Sequence, residues 1–265
     1  MNIVVFVKQV IDPEAPPSTF KIDSASNKAE MRGAPPVLDP YGQYAVEASL
    51  KIKEAKGAKV TIISLGSGLM RDVVKKPLAM GADELILLED EAFANGDSWS
   101  TAEALAAAVR KTGQFDVILC GRESSDTNAG QTGAIVAGIL GLPCVTLARK
   151  IEVAESKAIV ERVTSSGFDV VEVPLPAVIT VSNEVGEPRY PTIKGIMAAK
   201  KVQPVAWKPA DIGLETSKTG VAGKRLKIQR LFQPVNEGKC EFAAGETLEE
   251  QASNLALKLR EAKAL

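Results

Sequence analysis

Short, continuous apolar runs alternate with helical patterns over the first two-thirds of the chain. Residues 3–7, 59–65, 84–88, 116–120 and 144–147 are such runs, rich in Val, Ile and Leu. A strand covered on both faces needs an unbroken apolar run, whereas a half-exposed strand alternates. Between the runs, Ala45, Ala48, Ile52 and Ala55 recur at helical spacing, with Glu47, Lys51 and Glu54 on the opposite face and Gly57 as the stop. Ser100-Thr101-Ala102-Glu103 reads as a capping box. Beyond it Leu105 and Val109 share a face, Arg110 and Lys111 suit a last turn, and Gly113 ends the helix. Residues 130–140 form a short helix of small and apolar residues that can sit close on a sheet. The alternation predicts an α/β fold, a doubly wound and mostly parallel sheet.

The rhythm changes after Arg149. Residues 158–163 and 168–173 flank Thr164-Ser165-Ser166-Gly167, the pattern of a hairpin, and 177–182 is a further strand. A breaker-rich stretch, 183–191, precedes a short helix ending in Lys200-Lys201, a solvated helix end by its composition. From Val202 onward Pro204, Pro209, Gly213, Gly220 and Gly223 interrupt a segment that includes Lys224, Arg225, Lys227 and Arg230. Order returns at Thr247-Leu248-Glu249-Glu250, a second capping box, and at the apolar stripe Ala252, Leu255, Leu259, Ala262. The chain therefore divides into an α/β domain over 1–201 and an extended arm over 202–265 that finishes in an amphipathic helix. With few apolar residues, the arm cannot build its own core and is expected to lie on its own domain or on another subunit.

Composition narrows the chemistry. Lys plus Arg is 32 against 33 Asp plus Glu, a formal net charge of -1, so no basic surplus draws the chain to nucleic acid or anionic lipid. The histidine count is 0, which excludes Ser-His-Asp and Cys-His nucleophiles, histidine zinc sites and histidine proton shuttles. Cys120, Cys144 and Cys240 are widely spaced and form no CxxC, which fits a reducing compartment. Cys120 and Cys144 read as core packing and Cys240 as exposed. Trp99 and Trp207 read as packing anchors. The start is too short for a signal peptide, and no apolar run is long enough to span a membrane. The expectation is a cytoplasmic protein without direct membrane insertion.

In an open α/β sheet, ligands bind beyond the carboxyl ends of the strands, where strand order reverses. Three unusual segments leave such ends: 8–13, 65–68 and 121–133. The third opens a helix, whose free backbone N–H groups and positive dipole end suit phosphate. Gly130 and Gly133 permit close approach, and Gln131 and Thr132 add side-chain donors. Asp126 would repel phosphate but can accept from a ribose hydroxyl or cap the loop. Leu65-Gly66-Ser67-Gly68 imitates a dinucleotide fingerprint, but Arg71 stands where the third glycine belongs, and there is no P-loop. No nucleophile–base pair stands out.

These motifs resemble the beta subunit of electron transfer flavoprotein. The resemblance rests on Phe6-Val7-Lys8-Gln9-Val10-Ile11-Asp12, on Leu38-Asp39-Pro40-Tyr41, on Leu78-Ala79-Met80-Gly81-Ala82-Asp83 and on the loop 121–133. It also rests on a long signature running from Val171-Glu172-Val173-Pro174 through Glu187-Pro188-Arg189-Tyr190-Pro191 to Ile196-Met197-Ala198-Ala199-Lys200-Lys201. It covers roughly residues 1–210 and implies an adenine nucleotide alpha hydrolase-like domain whose arm embraces an alpha subunit. That partner holds the redox-active FAD, and the heterodimer serves acyl-CoA dehydrogenase-type partners, as in fatty acid oxidation. The beta subunit itself buries AMP in ordinary members and FAD in electron-bifurcating ones.

Carried over residue by residue, adenine would lie near Phe6, Leu65 and Gly66, with Lys8 and Gly121 in the same strand-end loops. Phosphate would meet Gly130, Gln131 and Thr132, with Asp126 and Thr127 near the ribose-phosphate. Asp39 takes the place of the family's Asn, and Tyr41 that of the aromatic facing the partner's flavin. Ile193, Lys194 and Met197 correspond to the segment that docks dehydrogenases. Gly130 and Thr127 also depart from the family pattern, where Asn and Asp stand. Thr132 and the Glu187–Tyr190 run resemble the ordinary type, so AMP is the expectation for the beta site and no catalytic residue or metal is expected. Two alternatives stand beside it: a bifurcating flavoprotein oxidising NADH at a beta-bound FAD, and a stand-alone AMP- or ATP-binding regulator.

Overall fold

The computed structural model describes residues 1–23, 28–31, 33–234, 238 and 240–264. In chain order its strands and helices are β1 Asn2–Val7, β2 Gln9–Val10, β3 Phe20–Asp23, β4 Lys28–Met31, β5 Val37–Leu38, α1 Pro40–Lys56, β6 Lys59–Gly66, α2 Arg71–Val74, α3 Lys76–Met80 and β7 Glu84–Glu89. Then follow α4 Ser98–Thr112, β8 Val117–Gly121, α5 Thr132–Leu140, β9 Cys144–Val153, β10 Lys157–Thr164, β11 Gly167–Pro174, β12 Ala177–Val181, α6 Ile193–Lys201, β13 Val205–Trp207, α7 Gly220–Gly223 and α8 Leu248–Glu261. Nine strands form one sheet in the order β11-β10-β9-β12-β8-β1-β6-β7-β13. From β13 to β9 every pairing is parallel; the hairpin β10–β11 completes the sheet antiparallel.

The unbroken apolar run of β1 is explained by its place at the centre. Ile3, Val5 and Val7 point into one core layer with Ala45, Val46 and Leu50 of α1, while Val4 and Phe6 point into the other with Leu105 and Val109 of α4 and Val136 of α5. Each such side chain contributes about 1.5–3 kcal/mol on burial. The sheet is therefore doubly wound. From β1 the chain winds to β6 and β7, then returns through α4 to β8 on the other side of β1. This reversal sets a crevice at the carboxyl ends of β1 and β8.

The helices follow their predicted signals with some differences. Gly57 caps α1 in the left-handed region at φ 69°. Ala55, however, is exposed, and Glu47 is not on a solvated face: it is buried at 4% exposure. Helix α4 starts earlier than the Ser100 box predicts, because Asp97 is the N-cap and Ser100 is its reciprocal partner three residues on. The hairpin is as expected, with Thr164 opposite Gly167. Cys120 is buried as predicted, but Cys144 is exposed, because it lies at the very start of β9.

Beyond Val202 the segment first adds β13 to the sheet edge beside β7, and Trp207, Ile212 and Leu214 pack on the α4–α5 core layer. The last helix has the Thr247 cap that its sequence predicts, yet none of its residues is buried.

Candidate nucleotide cleft

A cavity of about 430 Å³ opens at the crevice. Of the residues singled out from the sequence, Phe6, Lys8, Asp39, Leu65, Gly121, Thr127, Gly130, Gln131 and Thr132 line it. Tyr41, Gly66 and Asp126 lie next to it without lining it. Phe6 and Lys8 come from the end of β1, Leu65 from the end of β6 and Gly121 from the end of β8, so the sheet gathers parts far apart in sequence.

Helix α5 forms the wall best suited to an anion. Its N-cap, Gln131, makes no side-chain capping bond, so the amides of the first turn are left open towards the cavity. Such an end combines unsatisfied N–H donors with the positive pole of the helix dipole. Tight glycine packing brings it there. A Cβ on Gly133 would lie 2.7 Å from the Cys120 Sγ and 2.8 Å from the Thr180 Cγ2, so this residue seats α5 directly on β8 and β12. Gly130 holds φ at 63°, a left-handed conformation that a side chain would strain. On β8, a Cβ at Gly121 would come within 2.5 Å of the Tyr41 Cβ. Tyr41 thus packs behind the strand end, half-buried, with the Arg122 guanidinium 5.1 Å from its ring centroid.

The acidic residues around the cleft are already occupied. Asp39 is buried at 2% exposure. One of its oxygens accepts from the Gly42 N–H (3.1 Å) and caps α1; the other accepts from the Ser125 N–H (2.8 Å) and ties down the loop after β8. Both interactions need an acceptor, which a carboxylate supplies twice and an amide only once. Asp126 receives the Lys8 ammonium at 2.7 and 2.8 Å. Arg122 donates twice to Glu123, and this bonding raises the guanidinium pKa above its ordinary value. Burial, together with nearby Cys144, pushes the Cys120 thiol up to about 12, so it is an inert packing group at neutral pH.

A further wall of the cleft comes from a segment outside the three strand-end loops predicted from the sequence. Asn95, Gly96, Asp97, Ser98 and Thr101, around the start of α4, line it too. Their loop leaves the end of β7 and so obeys the same strand-end rule that marks the other three segments. The arm also contributes Lys224, Leu226 and Ile228, for which no sequence signal was recognised.

Ile193, Lys194 and Met197, expected from the sequence to dock dehydrogenases, do not line the cleft. Thr192 caps α6, accepting from the Gly195 N–H at 3.0 Å. A Cβ on Gly195 would meet the Ala79 carbonyl oxygen at 2.3 Å, so α6 rests hard on α3. Ile193 and Met197, one helical turn apart, are left outward at 80% and 61% exposure, with Lys194 beside them and Tyr190 preceding them at 94%. Among the described residues, no group of three or more His, Cys, Asp or Glu side chains could hold a metal, and no helix is long and apolar enough to cross a membrane.

Comparison with known proteins agrees with this geometry. The family model for the electron transfer flavoprotein domain matches residues 29–212. The caffeyl-CoA reductase-Etf complex subunit CarD of Acetobacterium woodii is 36% identical over 262 residues, 98% of both chains. The electron transfer flavoprotein subunit beta of Thermoanaerobacterium thermosaccharolyticum is 36% identical over 260 residues, again 98% of both. That of Mycobacterium tuberculosis is 37% identical over 226 residues, 83% of this chain and 84% of its own. By the extent of these matches, the chain belongs to the electron transfer flavoprotein beta-subunit family.

Proposed function

We propose that this chain is the beta subunit of a heterodimeric electron transfer flavoprotein, and that its cleft holds AMP as a structural ligand. The observation that carries the nucleotide assignment is the uncapped start of α5, drawn by Gly130 and Gly133 into a cavity at the strand reversal. Phosphate fits the open amides of α5 beside Gln131 and Thr132. Adenine fits the apolar side formed by Phe6 and Leu65. FAD, held chiefly by the alpha subunit, supplies the reversible electron chemistry when bound. This chain contributes placement: Asp39 and Lys8 fix the loop after β8, and Tyr41 supports the strand end from which that loop leaves.

The exposed apolar face of Ile193 and Met197, with Lys194 at its edge, is the surface proposed for transient docking of acyl-CoA dehydrogenase-type donors. A small aliphatic anchor with a charged neighbour suits brief, repeated encounters.

A second reading places FAD in the beta cleft of a bifurcating complex. It is favoured by the Acetobacterium woodii relative, whose name assigns it to a caffeyl-CoA reductase complex and which matches over 98% of both chains. Extraction of the purified heterodimer decides between them. One FAD and one AMP per heterodimer is the expected result. Two FAD and no AMP, with NADH-dependent ferredoxin reduction, establishes the second reading instead. A protein purified without any nucleotide overturns both.

A further inference from the structure

The charged groups lining the cleft are engaged by other groups of the protein, with one exception among the described residues. Lys8 is paired with Asp126 and Arg122 with Glu123. Asp39 is satisfied by two backbone N–H groups, and Asp97 by three, from Ser100, Arg225 and Leu226. Lys224, on the arm, has no ion-pair or hydrogen-bond partner among the described residues.

Its position is built rather than incidental. One Asp97 oxygen caps α4 through the Ser100 N–H at 2.9 Å. The other accepts from the Arg225 and Leu226 N–H groups at 2.6 and 2.8 Å, which fastens the arm to the helix start. The Arg225 guanidinium lies 3.3 Å from the Trp99 ring centroid, and neither residue lines the cleft. In an extended chain successive side chains alternate. With Arg225 turned to Trp99, Lys224, Leu226 and Ile228 all turn to the cleft, and the three of them line it. Asp97 also neutralises its own helix end, which leaves α5 as the open one.

We infer that the arm completes the nucleotide site, with Lys224 as the cation that meets the nucleotide's phosphate and the Asp97–Trp99 clamp as the device that holds it there. This rests on the nucleotide reading of the cleft. A phosphate at the start of α5 gains neutral amide donors from the helix but no free cation from the sheet loops; the arm supplies it. Ordering of residues 224–228 and retention of nucleotide are then coupled.

The test uses the heterodimer stripped of nucleotide and titrated with AMP, adenosine and FAD. Lys224→Gln is expected to weaken AMP about tenfold, the worth of one hydrogen bond to a charged group, and to weaken FAD likewise where FAD binds. Adenosine, which has no phosphate, is expected to bind Lys224→Gln and wild type alike. Lys224→Arg is expected to restore AMP binding, and Lys227→Gln, on the alternate side of the same segment, to match wild type. Unchanged AMP affinity in Lys224→Gln overturns the inference while leaving the nucleotide reading intact. So does an equal loss of AMP and adenosine, which assigns the arm a steric role alone. A wild-type heterodimer that binds none of the three overturns the nucleotide reading itself, and this inference with it.

Discussion

Glu47 offers the sharpest test of how the segment before α6 is held. It sits mid-way along α1 with a side chain only 5% exposed, beneath an Arg189 side chain that is 33% exposed. Arg189 donates to it from its backbone N–H (3.0 Å), from Nε (2.8 Å) and from Nη2 (3.0 Å), and grips Glu54 with the rest of its fork. Burial alone would push the Glu47 carboxyl up; the side-chain and backbone bonds from Arg189 outweigh it and hold the carboxyl below its ordinary value. Glu47→Gln removes the charge and nearly preserves the shape. Breaking a fully buried ion pair costs about 3–5 kcal/mol. Because Arg189 reaches solvent and keeps Glu54, the expected loss here is about 2 kcal/mol.

Equilibrium urea unfolding of wild type, Glu47→Gln, Arg189→Gln and the double variant measures it, with an expected coupling of about 2 kcal/mol at neutral pH. The pH dependence has a definite sign. A carboxyl whose pKa is lowered by folding stabilises fully above its unfolded pKa, and that contribution is lost as the pH falls through the folded value. The advantage of wild type over Glu47→Gln therefore shrinks on acidification below the usual carboxylate range. A coupling under about 0.5 kcal/mol, or a deficit in Glu47→Gln that does not change with pH, refutes the reasoning.

Three further outcomes are expected. Asp39→Asn points an amide N–H2 at one of two backbone donors and should cost about 1–2 kcal/mol, read as a lower urea midpoint. Gly133→Ala drives a methyl into Cys120 and Thr180, both buried, and should cost about 1–3 kcal/mol while lowering the nucleotide retained on purification. Ile193→Ala should reduce kcat/KM for electron exchange with a dehydrogenase about tenfold with flavin content intact, by loss of one exposed anchor; stopped-flow mixing with reduced dehydrogenase checks this, and unchanged kinetics count against docking there.

What was legible in the sequence depended on how locally each feature is determined. The strands β1, β6, β7 and β8 were plain because each is covered on both faces and so apolar over most of its length. The hairpin turn, the Gly57 stop and the Thr247 cap were plain because their chemistry lies within a few residues. Glu47 was misplaced because helical periodicity assumes that the polar face meets water, whereas a segment some 140 residues later covers it with an arginine. The Asp97 cap was missed for a related reason. Asp97-Ser98-Trp99-Ser100 and Ser100-Thr101-Ala102-Glu103 both carry a capping pattern, and the arm's attachment to the second Asp97 oxygen cannot be read from either. Cys144 was placed in the core because its run is apolar, although the first residue of a strand need not be covered.

The acidic residues at the cleft, Asp39 among them as a departure from the family pattern, become intelligible at the same level. As isolated residues, Asp39 and Asp126 argue against a phosphate site, since two carboxylates beside a nucleotide would repel it. In the fold, Asp39 spends both oxygens on the amides of Gly42 and Ser125, and Asp126 is neutralised by Lys8. The carboxylates act on the protein, drawing the loop after β8 against the start of α1 and the end of β1. What remains directed into the cavity is the set of groups they do not consume: the open amides of α5, the apolar side of Phe6 and Leu65, and Lys224. An acidic loop in the sequence thus becomes, once folded, a cleft whose unspent groups are backbone amides, apolar side chains and one lysine.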